Sequence, residues 1–215
     1  MKLLFGLFLN FLFFHSVYML QCFVCDTAFC QKPIFTTCEP NQYCGTVRTD
    51  GTFLGFNFTI VKRMCLSNEI CALLNANGTK LIASVAVGRT SVTTTISCCN
   101  TDGCNNNYLD APNKTPNGLI CKSCHSFYDE QCDSDMSCVG NQDRCFNDTA
   151  SLLPYDYGFG NNTVKGCISR CHCQPSHFGN VSCCEGSYCN KAVSWLSEIN
   201  YRLPLLSLVT VVLLV

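Results

Sequence analysis

The sequence lacks the short motifs on which most enzymes depend. Its 215 residues contain four histidines, and none of them belongs to a strand-to-helix serine motif or a metal-binding helix motif. A glycine-rich phosphate loop is also absent, and no segment has the periodicity of an amphipathic helix. The acidic pairs Asp129-Glu130 and Asp133-Asp135 lie close together in one loop, which is typical of a solvated face. The sequence therefore predicts a protein that is not an enzyme.

Residues 1–20 have the pattern of a secretory signal peptide. One lysine precedes residues 3–14, a run composed mostly of Leu and Phe. A membrane-spanning helix needs about 20 apolar residues, and His15 and Ser16 interrupt the run before that length. We therefore expect entry into the secretory pathway, with cleavage between Ser16 and Cys22.

The second hydrophobic run, residues 203–215, is short for a spanning helix and has no basic flank after it. A glycosylphosphatidylinositol (GPI) signal combines small residues at the attachment site with a polar spacer of about 8–12 residues and a hydrophobic tail of about 10–20. Residues 190–192, followed by a spacer over 193–202 and the tail over 203–215, fit that arrangement, with Asn190 or Ala192 as the attachment residue and 192–215 as the removed signal. The pattern predicts a GPI-anchored protein on the extracellular face of the cell membrane, with shedding or secretion as the alternative.

Cysteine is abundant, with 21 in the chain. In a secreted protein this density indicates a disulfide framework. The alternative is zinc, for which Cys121 and Cys124 with His125, or the Cys171-His172-Cys173 run, have a superficial ligand pattern. Because thiols in the secretory pathway are oxidised before a metal site assembles, we expect no metal and no cofactor.

One cysteine motif occurs twice. Residues 98–105 read CCNTDGCN and residues 183–190 read CCEGSYCN, and a C-x-x-C pair precedes each of them. This repeat divides the mature chain into a first domain, residues 21–107, and a second domain, residues 119–191. Residues 108–118 are rich in Pro and Asn and predict a linker.

The segments between the cysteines favour β-strands. Residues 46–61 and 81–96 are rich in Thr, Val and Phe, with turn signals at Asp50-Gly51 and Gly88. Three long excursions between cysteines, which we call the first, second and third fingers, are predicted in the first domain: 25–44, 44–65 and 71–98.

The ordered cysteines and the terminal C-C-x4-C-N resemble the LU domain of the urokinase-receptor and three-finger-toxin superfamily over residues 22–190. The resemblance implies a small disulfide-rich all-β fold of two tandem three-finger domains. It also implies that Asn105 and Asn190 bond the backbone near the start of their domains. The implied disulfides are Cys22–Cys44, Cys25–Cys30, Cys38–Cys65, Cys71–Cys98, Cys99–Cys104, Cys121–Cys145, Cys124–Cys132, Cys138–Cys167, Cys173–Cys183 and Cys184–Cys189.

The second domain contains an odd cysteine. Five residues separate Cys65 from Cys71 and also Cys167 from Cys173, so the register leaves Cys171 unpaired. We expect a buried or capped thiol rather than a bridge between chains. The second domain's third finger, between Cys173 and Cys183, is much shorter than its counterpart in the first domain.

Sequons and aromatic clusters predict the surface. The N-x-S/T sequons, each an expected surface position in a secreted chain, are Asn57, Asn77, Asn113, Asn147, Asn161 and Asn180. The expected ligand contacts, chosen because exposed aromatic residues are frequent at binding hot spots, are Phe53, Leu54, Tyr155, Tyr157 and Phe159. The alternative is that such residues pack into the sheet or between the domains. We expect this packing for Phe56 and Phe58, because the sequon residue between them points outward.

Charge and organisation together favour a cell-surface binding protein. The second domain has four basic and eight acidic residues over positions 119–190, which argues against nucleic acid and anionic membranes as partners. We expect a GPI-anchored glycoprotein that binds an extracellular protein through its fingers, with the oligomeric state left open. The alternatives are a soluble inhibitor of the phospholipase A2 type, and an adhesion or barrier glycoprotein of gamete or epithelial surfaces.

Overall fold

The computed structural model describes residues 19–25, 30–53, 55–72, 74, 80–125, 129, 131–149, 163–173 and 181–191. The contacts divide the chain into unit 1, which ends at Thr115, and unit 2, which begins at Pro116. β-Strands dominate both units, so the prediction of an all-β fold is confirmed. In the described part of the chain, no helix is both long and apolar enough to cross a membrane.

Unit 1 contains two antiparallel sheets. The strands β1 (Gln21–Val24) and β2 (Ile34–Thr37) form the smaller sheet in the first finger. In the larger sheet, β3 pairs with both β4 and β6, and β6 also pairs with β5. The bounds of these strands are β3 Gln42–Phe53, β4 Phe56–Ser67, β5 Lys80–Val87 and β6 Thr90–Cys99. A five-residue helix, α1 (Asn68–Ala72), follows β4, and a 3-10 helix spans Cys104–Asn106.

The second finger of unit 1 turns later than its sequence predicts. Strand β3 runs through Asp50 and Gly51, and the turn comes at Gly55, whose φ is +88°. Gly51 serves packing instead, since a Cβ there would lie 2.3 Å from the Phe58 ring. The predicted turn at Asp50-Gly51 is therefore wrong, whereas the turn predicted at Gly88 is present, with φ of +53°.

Unit 2 repeats this plan, with longer strands in its first finger and shorter strands elsewhere. Here β7 pairs with β8 in the first finger, and β9 pairs with both β10 and β11. The bounds of these strands are β7 Pro116–Ser123, β8 Ser134–Val139, β9 Arg144–Thr149, β10 Thr163–Ile168 and β11 Ser182–Cys184. A 3-10 helix spans Arg170–Cys173.

Residues at both ends of the predicted linker contact strands. Strand β7 begins at Pro116, inside the predicted 108–118 segment. At the other end Leu109 is buried, and its carbonyl accepts a 2.8 Å hydrogen bond from the Arg48 guanidinium of β3. The Arg63 guanidinium likewise donates to the Asn106 carbonyl at 2.8 Å. Residues 106–109 are thus fastened to the sheet of unit 1.

Disulfides occupy the centre of both units. In unit 1 the sulfur atoms of Cys22 and Cys38, which belong to neighbouring disulfides, lie 3.0 Å apart. The pairs match those that the resemblance implies: Cys22–Cys44, Cys25–Cys30, Cys38–Cys65, Cys71–Cys98, Cys99–Cys104, Cys121–Cys145, Cys124–Cys132, Cys138–Cys167, Cys173–Cys183 and Cys184–Cys189. They use every cysteine of the chain except Cys171. Each bridge contributes about 2–4 kcal/mol to stability, chiefly by restricting the unfolded chain.

Asn105 joins the end of unit 1 to its beginning. Its side chain accepts a hydrogen bond from the Phe23 N–H at 3.0 Å and donates to the carbonyls of Phe23 and Gly45 at 2.8 and 3.0 Å. It is 3% exposed, so the amide replaces water for three backbone groups of β1 and β3. The Cys99–Cys104 loop adds two bonds to the backbone of Gln21.

Asn190 makes the same closure in unit 2. Its side chain accepts from the Lys122 N–H at 2.9 Å and donates to the carbonyls of Lys122 and Phe146 at 2.8 and 2.9 Å. It is 4% exposed. Both asparagines therefore bond backbone near the start of their domains, as the resemblance implies.

Replacing Asn105 by alanine tests this closure. The change leaves one N–H and two carbonyls buried without their partner, so we expect a loss of about 2–4 kcal/mol in the free energy of unfolding. The measurement is denaturant unfolding, with disulfides intact, of the glycosylated protein purified from mammalian cells.

Asn107→Ala is the matched control. Asn107 is exposed and lies two residues further along the chain, so this variant should unfold within about 0.5 kcal/mol of the unchanged protein. Equal stability of the two variants would show that the asparagine closure is dispensable.

Candidate protein-binding surface

The first fingers of the two units place different chemistry at equivalent positions. In unit 1 the cross-strand pair after the first cysteine is Phe23 and Phe35, and in unit 2 it is Lys122 and Asp135. Each pair lies next to the asparagine closure of its own unit, made by Asn105 in unit 1 and Asn190 in unit 2. The repeat thus supplies an internal comparison, with an apolar first finger in unit 1 and a charged one in unit 2.

The apolar face of unit 1 is open to solvent. The Phe23 and Phe35 rings pack with centroids 5.1 Å apart. Phe35 is nevertheless 51% exposed. The preceding residue, Ile34, is 62% exposed, with its side chain on the opposite face of β2. Gly103 borders both rings, since a Cβ there would lie 3.3 and 3.4 Å from their edges. We call the surface made by Phe23, Phe35 and Gly103 the first-finger face.

In unit 2 a tyrosine covers the equivalent face. Tyr188 occupies the position of Gly103 with nearly the same φ, +63° against +64°. Its ring centroid lies 5.9 Å from the Lys122 ammonium, and its hydroxyl donates to Asp135 at 3.3 Å. Lys122 also forms ion pairs with Asp133 and Asp135 at 3.2 and 2.9 Å. The Lys122 ammonium holds the pKa of the Asp135 carboxyl below its usual value.

Backbone N–H groups of the acidic loop in unit 2 bind the carboxylate of Asp129. The Asp129 carboxylate accepts hydrogen bonds from the N–H groups of His125, Gln131 and Cys132 at 2.8, 3.1 and 3.2 Å. These bonds, that from His125 foremost, hold the pKa of Asp129 below its usual value. The arrangement closes the loop between Cys124 and Cys132 and gives the carboxylate a structural role.

The second finger of unit 1 ends in exposed aromatic side chains. Phe56 is 79% exposed, so its predicted packing into the sheet is wrong. The reason is that β3 pairs with β6 only as far as Thr52, which leaves the Phe53–Phe56 pair beyond the neighbouring strand. Phe58, two residues further in, covers Gly51 as expected for a packed ring.

A half-buried ion pair stiffens that finger. The Arg48 guanidinium donates to both Asp50 carboxylate oxygens, at 2.7 and 2.8 Å. The Thr59 hydroxyl on β4 adds a third bond to Asp50, at 2.8 Å. The Arg48 hydrogen bonds, aided by that from Thr59, hold the pKa of the Asp50 carboxyl below its usual value. Because Arg48 also binds the Leu109 carbonyl, the pair links the finger to residues 106–109.

Two cysteine clusters have metal-like spacing without metal-like chemistry. The sulfur atoms of each cluster lie within 4.8 Å of one another, but every one of them belongs to a disulfide, and a metal ligand must be a free thiolate. The clusters are Cys22, Cys38 and Cys65 in unit 1, and Cys121, Cys138 and Cys167 in unit 2. They mark the two disulfide cores.

Comparison with known proteins identifies the architecture. The model of the u-PAR/Ly-6 domain family matches twice, over residues 19–107 and 117–192. The chain belongs to the u-PAR/Ly-6 domain family. Its fold is accordingly a pair of tandem three-finger domains, which confirms the fold class expected from the sequence.

Relatives of two kinds share this family. The chain is 34% identical over 106 residues to the urokinase plasminogen activator surface receptor of Bos taurus, covering 43% of this chain and 31% of the receptor. It is 25% identical over 150 residues to the phospholipase A2 inhibitor gamma subunit A1 of Trimerodytes annularis, covering 68% of this chain and 76% of the inhibitor subunit. The chain thus spans about a third of the receptor's length and about three quarters of the inhibitor subunit's.

The predicted contact residues fall mostly outside the described part of this u-PAR/Ly-6 protein. Phe53 lies at the end of β3 and is partly exposed. The other predicted contacts lie outside the described residues: Leu54, Tyr155, Tyr157 and Phe159. The sequence reasoning missed Phe35 and Ile34. An alignment of the two repeats could have indicated this surface. It places Gly103 opposite Tyr188 and Phe23 opposite Lys122, which shows that the first fingers differ in chemistry.

Acid titration of Asp50→Asn tests the ion pair. A carboxyl whose folded pKa is depressed contributes stability that is complete above its unfolded pKa, about 3.9, and is lost as the pH falls through the folded value. We therefore expect Asp50→Asn to cost about 2 kcal/mol in the free energy of unfolding at pH 7, and distinctly less at pH 3. Urea unfolding at both pH values measures the difference.

Asp110→Asn serves as the control for this titration. Asp110 pairs with Lys80 at 3.3 Å, but its side chain is almost fully exposed. Its replacement should change stability at pH 7 by no more than about 0.5 kcal/mol. A cost for Asp50→Asn that stays the same from pH 7 to pH 3 would refute a charge-dependent contribution.

Proposed function

We propose that this chain is a non-catalytic glycoprotein of the cell surface that is attached by a GPI anchor and binds an extracellular protein through the fingers of unit 1. The exposed apolar surface on a disulfide-held scaffold carries this proposal, above all Phe35 and Phe56. Rigid loops bind at low entropic cost, and aromatic residues are frequent at hot spots. The membership of a surface receptor in the same family is consistent with this role.

The anchor is proposed from residues 192–215, which lie outside the described part of the chain. Burial of the Asn190 side chain favours Ala192 over Asn190 as the attachment residue. The Lys191 N–H also donates to the Tyr188 carbonyl at 2.9 Å, so the peptide bond after Asn190 belongs to a hydrogen-bonded turn. An enzyme that exchanges this bond for the lipid would have to open the asparagine closure, whereas Ala192 lies beyond it.

Treatment with phosphatidylinositol-specific phospholipase C tests the anchor. Cells that express the full chain should release it into the medium, because this enzyme cuts the lipid and leaves the protein intact. A known GPI-anchored protein on the same cells is the positive control. Retention on the cells while the control protein is released would refute the anchor.

The second candidate is a soluble inhibitor of phospholipase A2. The observation in its favour is the match to a phospholipase A2 inhibitor subunit over 68% of this chain, more than the receptor match covers. In the same experiment, an inhibitor would already be present in the medium of untreated cells. Inhibition of a secreted phospholipase A2 by that medium protein, measured as loss of fatty-acid release, would then support the second candidate over the first.

The exposure of three sequon residues supports N-glycosylation. Asn57, Asn113 and Asn147 are exposed, and Asn77, Asn161 and Asn180 lie outside the described residues. We expect the single variants Asn57→Gln, Asn113→Gln and Asn147→Gln each to lose one glycan, seen as a stepwise fall in the mass of the intact protein. Treatment with peptide-N-glycosidase should abolish these differences. An unchanged mass for any variant would show that its sequon is unused.

A further inference from the structure

We propose that β2 of unit 1 is a docking edge to which an extended, uncharged segment of an extracellular protein adds as a further strand, with one aromatic or aliphatic side chain resting on the first-finger face. The inference rests on the proposed binding function and specifies its surface and its partner chemistry. Three features carry it: the direction of the β2 backbone groups, the absence of charge along β2, and the contrast between Gly103 and Tyr188.

The backbone groups of Phe35 and Thr37 point away from β1. In an antiparallel pair, opposed residues alternate between bonding each other and bonding outward. Phe23 bonds Asn105 with both of its backbone groups, so its partner Phe35 belongs to an outward pair. The Cys38 N–H donates to the Leu20 carbonyl at 2.8 Å, so these two residues bond each other across the strands. Thr37, which precedes Cys38, therefore belongs to an outward pair as Phe35 does.

This edge therefore presents two donors and two acceptors in the spacing of a β-strand. No described residue hydrogen-bonds the backbone of Phe35 or Thr37. Pro33, which has no N–H, bounds the edge on one side, and the Glu39 N–H on the other side is taken by Gln42. Such a short edge suits main-chain recognition of an extended segment.

Charge protects the equivalent strand in unit 2 and is absent from β2. Charged side chains on an edge strand discourage the addition of another strand. The counterpart of Phe35 in β8 is Asp135, and Asp133 directly precedes that strand. The four residues of β2 are Ile, Phe, Thr and Thr, all exposed. An uncharged partner segment can approach β2 without leaving a charge desolvated.

Gly103 defines the side chain that the partner supplies. In unit 2 the chain's own Tyr188 covers the first-finger pair, whereas Gly103 leaves the Phe23 and Phe35 rings uncovered. An aromatic or aliphatic side chain from the partner would fill this space, removing apolar ring surface from water. The repeat thus contains in unit 2 a covered version of the surface that unit 1 leaves open.

Hydrogen exchange with a defined peptide tests the proposal. The probe is a capped seven-residue peptide of alternating Thr and Tyr, and the matched control is the same peptide with its central amides N-methylated, which cannot add as a strand. The protein is the full glycosylated chain purified from mammalian cells. We expect the Phe35 and Thr37 amides to exchange rapidly in the free protein and to become protected by the probe, but not by the methylated peptide.

Two variants test the edge and the face separately. Thr37→Pro removes an outward N–H without touching the β1–β2 ladder, and Gly103→Tyr fills the uncovered face in a conformation that Tyr188 already adopts in unit 2. Each should weaken peptide binding by about tenfold or more. The matched control is Ser137→Pro, which removes the equivalent N–H of β8 and should leave peptide binding unchanged.

The remaining outcomes would overturn the proposal. These are no protection at millimolar probe, protection elsewhere in the chain, or equal protection by the methylated peptide. Protection of Phe35 and Thr37 that rises with protein concentration without peptide, together with a dimer in sedimentation, would assign the edge to a second copy of this chain. None of these readouts depends on the anchor or on phospholipase, so a failure of this proposal can be told apart from a failure of the proposed function.

Discussion

The asparagine closure is the interaction on which the rest of each unit depends. The disulfides give the fingers a common base, and hydrogen bonds set the register of β1 and β7 against the central finger. Asn105 and Asn190 supply that register, because each amide satisfies the outer edge of its unit's first strand and one carbonyl of the central finger. The outer edge of β1 is therefore closed, and the far side of the first finger is the edge that we propose accepts another strand.

The two units share the disulfides and the asparagine closure. They differ at positions whose side chains take no part in that closure. The positions after the first cysteine and before the last one do not take part in the closure through their side chains. In unit 1 they hold Phe23 and Gly103, and in unit 2 Lys122 and Tyr188. The result is an open apolar face in one unit and a covered, ion-paired face in the other. The two units thus present different chemistry at equivalent positions of one scaffold.

The sequence predicted the architecture well and the local geometry less well. Ordered cysteines and a repeated C-C-x4-C-N motif suffice to recognise the fold, because the pattern reflects the shared scaffold. The turn predicted at Asp50-Gly51 is wrong because both residues have other roles within the finger. Here Arg48 and Thr59 bind the aspartate, and Phe58 fills the space over the glycine. The packing predicted for Phe56 is wrong because side chains that alternate along β4 are buried only as far along the finger as β6 extends.

Glycosylation and the first-finger face are compatible in a specific way. The exposed sequon at Asn57 stands next to Phe56 on the second finger, so a glycan there would project from the same tip, on the strand face opposite the Phe56 ring. Asn147 lies on β9, paired with both β10 and β11, so a glycan there would cover one face of the unit 2 sheet. Neither β1 nor β2 contains a sequon. Of the apolar surfaces described in unit 1, the first-finger face is thus the one whose strands contain no sequon, which agrees with the docking edge proposed above.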